Sequence, residues 1–177
     1  MLQLRIRTAV LCFASTFLSI AAFSQKDQKI IDDSKAAKAD FIRSDASMAN
    51  RFANAYAYVI FPNVGKGAIG IGGAAGNGVA WERGNMTGSA KMKQVSIGFQ
   101  WGGQAYREVI FFENKATFDR FKQSKLEFSA QASAVAATAG ASANAKYANG
   151  VMIFTQQKGG LMYEASVGGQ KFKYNAF

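Results

Sequence analysis

The chain has 177 residues, with 21 lysines and arginines against 11 aspartates and glutamates, no histidine and a single cysteine. Without histidine there is no imidazole base and no ordinary zinc site, and one cysteine leaves nothing to pair with within the chain. The net charge of +10 favours anionic partners such as phospholipid headgroups, acidic polymers or nucleic acid.

The first 24 residues have the form of an export signal. Arg5 and Arg7 supply a positive start, and Ala9 to Ala22 is an almost unbroken apolar run. Ala22-Phe23-Ser24 then offers small residues where a signal peptidase reads, so cleavage before Gln25 is expected. The run falls short of the ~20 residues a spanning helix needs. Cys12 follows Leu11, where a lipid-bearing cysteine requires a small residue, so no lipoprotein is expected. Residues 25–177 then form one domain, carrying 19 basic and 11 acidic residues, a net of +8, and no cysteine. Export to the periplasm or the medium argues against nucleic acid as the partner.

Two helices are expected first. From Lys26 to Arg43, Ile30, Ala37 and Phe41 share a helical stripe with Ile31 and Ile42 beside it. Ser44-Asp45 reads as a stop and a fresh N-cap, and a second helix to about Ala55 aligns Met48, Phe52 and Tyr56. Pro62-Asn63 is expected to close an apolar strand, Tyr56 to Phe61.

The pattern then turns to β. Twelve of the 18 glycines lie between Gly65 and Gly103, a density no helix tolerates. Gly76-Asn77-Gly78 and Gly84-Asn85 read as turns. Val95 to Trp101 alternates as a strand with one buried face, and Arg107 to Phe112 reads as another. Asn114 is expected to cap a helix that turns Phe118, Phe121 and Leu126 to the core. Ser129 to Ala145 alternates alanine with other residues and slips phase once near Thr138, which predicts a bulged strand. A hairpin follows: Val151 to Thr155, a turn around Lys158-Gly159-Gly160, and Leu161 to Val167. Lys171 to Tyr174 is the last strand.

Few residues offer chemistry. Asp32-Asp33 are adjacent on a helix and point about 100° apart, so they cannot flank one bond. Gly65-x-Gly67-x-x-Gly70 matches the dinucleotide fingerprint in letters only, because Ile71-Gly72-Gly73 cannot start the helix that would receive a pyrophosphate. An outer-membrane barrel would place Lys173 against lipid, counting back by twos from Phe177. No enzyme activity, cofactor or metal is expected.

The order of these segments resembles the SYLF domain, the lipid-binding family of yeast and animal actin-patch proteins, which also has exported bacterial members. AYAYVIFPNVGKGAIGIGGAAGNGVAWERG resembles its opening, GFQWGGQAYREVIFFENKATFDRF its middle, and ASAVAATAG with VMIFTQQKGGLMYEASVGGQKFKY its end. The resemblance implies an α+β fold: a curved or barrel-like, mainly antiparallel sheet, with two N-terminal helices and one mid-chain helix packed against it. It also implies binding of acidic phospholipids, through a basic N-terminal segment in the eukaryotic members. Here residues 26–56 hold six basic and five acidic groups, a net of only +1.

The excess charge lies on the β part instead. Lys91 and Lys93 share a strand face, as do Lys171 and Lys173, because residues two apart point the same way. These four lysines, with Lys66 between Gly65 and Gly67 in the family's Pro-x-x-Gly-Lys-Gly motif, are the expected anion-binding residues. Around Lys66 the two glycines would leave backbone amides open to a phosphate. The expected partner is an anionic phospholipid surface or another acidic component of the cell envelope. The alternative is a protein-interaction module of the envelope with no lipid ligand.

Overall fold

The computed structural model describes residue 25 and residues 27–66, 73–95, 105–128, 133–136, 139–158 and 164–177. The expected export signal (1–24), the glycine fingerprint beyond Lys66, and residues 96–101 of the strand expected after Val95 lie outside the described residues.

Helix α1 (27–44) and helix α2 (Met48–Asn54) come first. Strand β1 (Ala57–Lys66) follows, then β2 (Gly73–Glu82), β3 (Asn85–Val95) and β4 (Tyr106–Phe112). Helix α3 (Lys115–Lys122) precedes β5 (Ser133–Ala136) and a 3₁₀ turn, Ala141–Asn144. Strands β6 (Val151–Gln157), β7 (Glu164–Ser166) and β8 (Gln170–Ala176) complete the order. The strands form one sheet in the order β7-β5-β6-β4-β1-β2-β3-β8, antiparallel except where β5 runs parallel to β6. The sheet curls without closing: Gln170 of β8 reaches Glu108 of β4 at 2.8 Å across its hollow, although three strands separate the two in the sheet.

Each face of the sheet has its own core. Inside the curl, Val59, Phe61, Ile110, Phe112 and Phe172 pack with Phe118 and Phe121 of α3. Outside, Tyr58, Ile60, Val79, Trp81, Phe111 and Phe154 are covered by Ala37 and Phe41 of α1 and by Met48 and Phe52 of α2. Asn114 caps α3 as expected, its side chain accepting from the Thr117 amide at 3.0 Å. Leu126 lies beyond that helix yet in the same inner core.

Several local expectations are corrected. Pro62-Asn63 does not end β1. The pairings of β1 with β2 and with β4 both shift register there, so the missing proline N–H falls at a bulge. The extra residue turns Val64 inward after Phe61 and leaves Asn63 exposed. Gly76-Asn77-Gly78 is no turn but the middle of β2. A Cβ on Gly78 would lie 2.4 Å from the Ile60 carbonyl oxygen, so glycine is what lets β2 press against the bulged strand. The real turn is Arg83-Gly84, both at positive φ, the geometry of a two-residue hairpin.

Asp45 does not cap α2; the helix's N-cap is Ser47, whose hydroxyl hydrogen-bonds Asp45 and Ser142 instead of a helix amide. Asp45 accepts from the Ser47 amide and from the Ser142 amide at 2.8 Å, tying the α1–α2 corner to the 3₁₀ turn. Arg51 adds to this tie through the Ser142, Ala143 and Ala145 carbonyls. Tyr56 leaves the helical stripe, and its hydroxyl donates to Glu82. Of the bulged strand expected over 129–145, Ser133–Ala136 is strand (β5) and Ala141–Asn144 is 3₁₀, while residues 129–132 and the phase slip near Thr138 lie outside the described residues. Among the described residues β6 does not pair with β7 as the expected hairpin requires: β5 lies between them, and β8 pairs with β3, while residues 159–163 of that hairpin lie outside the described residues.

Candidate functional site

Strands β3 and β8 pair over Gly88 to Gln94, and their alternation sets the site. Ala90, Met92 and Gln94 turn inward, as do Gln170 and Phe172, leaving the odd-numbered residues on the outer face. The register places Lys91 opposite Lys173 and Lys93 opposite Lys171, all four exposed. The two paired-lysine strands expected from sequence are therefore adjacent and form a two-by-two quartet. Directly opposed residues have Cβ atoms about 5 Å apart, and like charges at that spacing destabilise the pair. Glu127 supplies one nearby carboxylate, 3.2 Å from the Lys171 ammonium; both side chains are more than half exposed, so the pairing is weak.

The same registers continue across two more strands. Asn63, Asn77, Lys91 and Lys173 form one cross-strand row, and Gly65, Ala75, Lys93 and Lys171 the next. Nothing lies within 4 Å of where a Cβ on Gly65 would sit, so the sheet surface at that end of the row is open. Lys66 ends β1 opposite Ala74, one row away from the quartet, and Gly67 lies outside the described residues. Asn63 and Asn77 were not singled out from sequence, where they read as parts of a stop and a turn. The signal was the period-two run Ala75, Asn77, Val79 beneath the glycines.

A groove of about 180 Å³ opens beside the first row. Lys29, Ile30 and Asp33 of α1 form one wall, and Pro62, Asn63 and Asn77 the other. Lys29 and Asp33 are paired at 2.8 Å. Lys158 donates to the Asn63 side-chain oxygen, and burial followed by the charge of Arg107 lowers its ammonium from the ordinary value. Arg107 itself is engaged by Asp40 of α1 at 2.6 Å, which makes it a strut between helix and sheet.

A second polar group lies inside the curl. Glu108, Gln170 and Thr155 are fully buried. Gln170 donates to one Glu108 oxygen, while the other has no hydrogen-bond partner among the described residues. Burial raises the Glu108 carboxyl to about 7, opposed by the Gln170 bond. Among the described residues, no three His, Cys, Asp or Glu side chains cluster as metal ligands, and no helix is long and apolar enough to cross a membrane.

Comparison with known proteins bears on the same region. Residues 93–176 match the family model described as Ysc84, Las17-binding protein actin regulator. The match begins at Lys93 and takes in β8, so it holds three of the four lysines. The chain is also similar to beta cell expansion factor A of Aeromonas veronii, 33% identical over 124 residues, which cover 68% of this chain and 46% of that protein. The chain thus spans less than half the length of that relative.

Proposed function

Residues 93–176 belong to the Ysc84 (SYLF) family, and on that premise we propose that the chain is an exported, non-enzymatic domain that binds membranes rich in anionic phospholipid. The family is associated with lipid, and the quartet Lys91, Lys93, Lys171 and Lys173 is the single observation that carries the anionic ligand. Its opposed charges repel one another in the free protein, and an anionic surface relieves that repulsion. Each lysine close to such a surface is worth about 1 kcal/mol, so four give measurable attachment that salt weakens. Removal of residues 1–24 would place the domain in the periplasm or outside the cell, peripheral on a membrane. The test is co-sedimentation with phosphatidylcholine vesicles with and without phosphatidylglycerol, at low and high salt. Binding should follow the anionic fraction and fall with salt, and Lys91→Glu with Lys93→Glu should weaken it while Lys35→Glu on α1 does not. Binding lost through Lys35→Glu alone would move the surface to the helix.

The family description names a protein partner, and this favours a second reading in which the lysine face meets an acidic protein of the envelope. Failure to bind any anionic vesicle at low salt would leave that reading as the better account.

A further inference from the structure

The lysine quartet is flat, but the row it belongs to ends in a groove, and the two parts differ in chemistry. Lys91 and Lys173 present ammonium groups, while Asn63 and Asn77 present carboxamides, all on one cross-strand line. Neighbouring strands are about 4.8 Å apart, so Asn77 stands one strand from Lys91 and Asn63 two. Asn77 is exposed on the groove floor and makes no side-chain hydrogen bond among the described residues. Asn63 is held by Lys158, which fixes its oxygen and leaves the amide N–H₂ to donate elsewhere. The groove holds only about 180 Å³, too small for an acyl chain, and it sets the polar groups of Asn63, Asn77, Lys29 and Asp33 beside the apolar surfaces of Ile30 and Pro62.

Building on the proposed function, we infer that this row reads a glycerol phosphodiester, with the phosphate on Lys91 and Lys173 and the free hydroxyls on Asn77 and Asn63. A carboxamide both donates and accepts, which suits a hydroxyl, whereas an ammonium only donates, which suits a phosphate oxygen. In a headgroup of this class the two hydroxyls follow the phosphate within a few bonds, so a phosphate held by Lys91 brings them towards the neighbouring strand, where Asn77 stands. The arrangement therefore distinguishes headgroups of equal charge by their hydroxyls. Phosphatidylglycerol carries the full set, and phosphatidylethanol carries the same phosphodiester charge with none.

The experiment compares the purified protein on phosphatidylcholine vesicles containing equal fractions of phosphatidylglycerol or phosphatidylethanol. Phosphatidylglycerol should be bound about three- to tenfold more tightly, the effect of one or two hydrogen bonds. Asn77→Ala should bring it down to the phosphatidylethanol level and leave phosphatidylethanol binding unchanged. Equal binding of the two lipids by the unaltered protein, or an unchanged ratio in Asn77→Ala, overturns this inference while the charge-driven reading stands. Failure to bind either lipid overturns both. Soluble glycerophosphoglycerol in the phosphatidylglycerol arm separates the two sources of the same chemistry. Competition only at concentrations far above the lipid's supports the membrane, whereas competition at equal concentration assigns the row to a free phosphodiester and overturns the lipid source.

Discussion

Lys91 of β3 stands directly opposite Lys173 of β8, and no acidic side chain pairs with either one among the described residues. A like-charge pair in that position opposes strand pairing, whereas an opposite-charge pair supports it. Lys91→Glu is therefore expected to raise the thermal midpoint by about 1–3 °C while weakening attachment to anionic vesicles. Differential scanning calorimetry and co-sedimentation on the same sample check the two signs. A variant that lost both stability and binding would show that the quartet is structural.

Glu108 gives the domain a pH dependence that can be attributed to one group, because the chain has no histidine. The folded state keeps the Glu108 proton up to about 7, whereas the unfolded state releases it near 4.5. Between those values folding takes up a proton, so stability falls as pH rises through the interval and levels off above it. The loss amounts to about 3 kcal/mol. Urea unfolding at pH 5 and pH 8 should show the difference, and Glu108→Gln should abolish it.

Asp45 works in the opposite direction. Burial raises its carboxyl, but hydrogen bonds from Ser47 and Ser142 outweigh that and hold it at about 2, against an ordinary 3.8. Its contribution is complete above 3.8 and is lost as pH falls through 2. Asp45→Ala should cost about 1–3 kcal/mol in urea unfolding at neutral pH, and the cost should shrink in acid. Proteolysis should also reach the Ala141–Asn144 turn sooner in the variant, because that turn loses its tie to the helical corner.

Gly78→Ala is expected to destabilise the fold by about 1–3 kcal/mol, since its Cβ would meet the Ile60 carbonyl, which is backbone and cannot swing aside, as well as the Phe61 ring. Asn77→Ala, one residue away on the exposed face, should stay within about 0.5 kcal/mol of the unaltered protein. Chemical denaturation of the pair separates the inward from the outward positions of β2.

What the sequence made legible were features with a local cause. The stripe through Ala37 and Phe41 faced the sheet because helical spacing puts those residues on one side, and Asn114 capped α3 because its side chain reaches an amide three residues on. The alternation around Lys91 and Lys93 was readable for the same reason. Features set by distant partners were not. Pro62-Asn63 and Gly76-Asn77-Gly78 carry turn chemistry, but each sits where two strands must approach closely, and pairing overrode the local preference. Strand β5 between β6 and β7, and Glu108 facing Gln170 across the curl, depend on contacts between segments far apart in the chain. No window of neighbouring residues contains them.

The pairing of β3 with β8 also has a kinetic consequence. The two halves of the quartet lie about eighty positions apart in the chain, and joining them requires closing a loop that contains most of the inner core. The cationic patch therefore does not exist in a partly folded chain, which carries its lysines in two separate, weaker pairs. On the proposed reading, attachment to a charged surface would therefore reach full strength only in the finished fold.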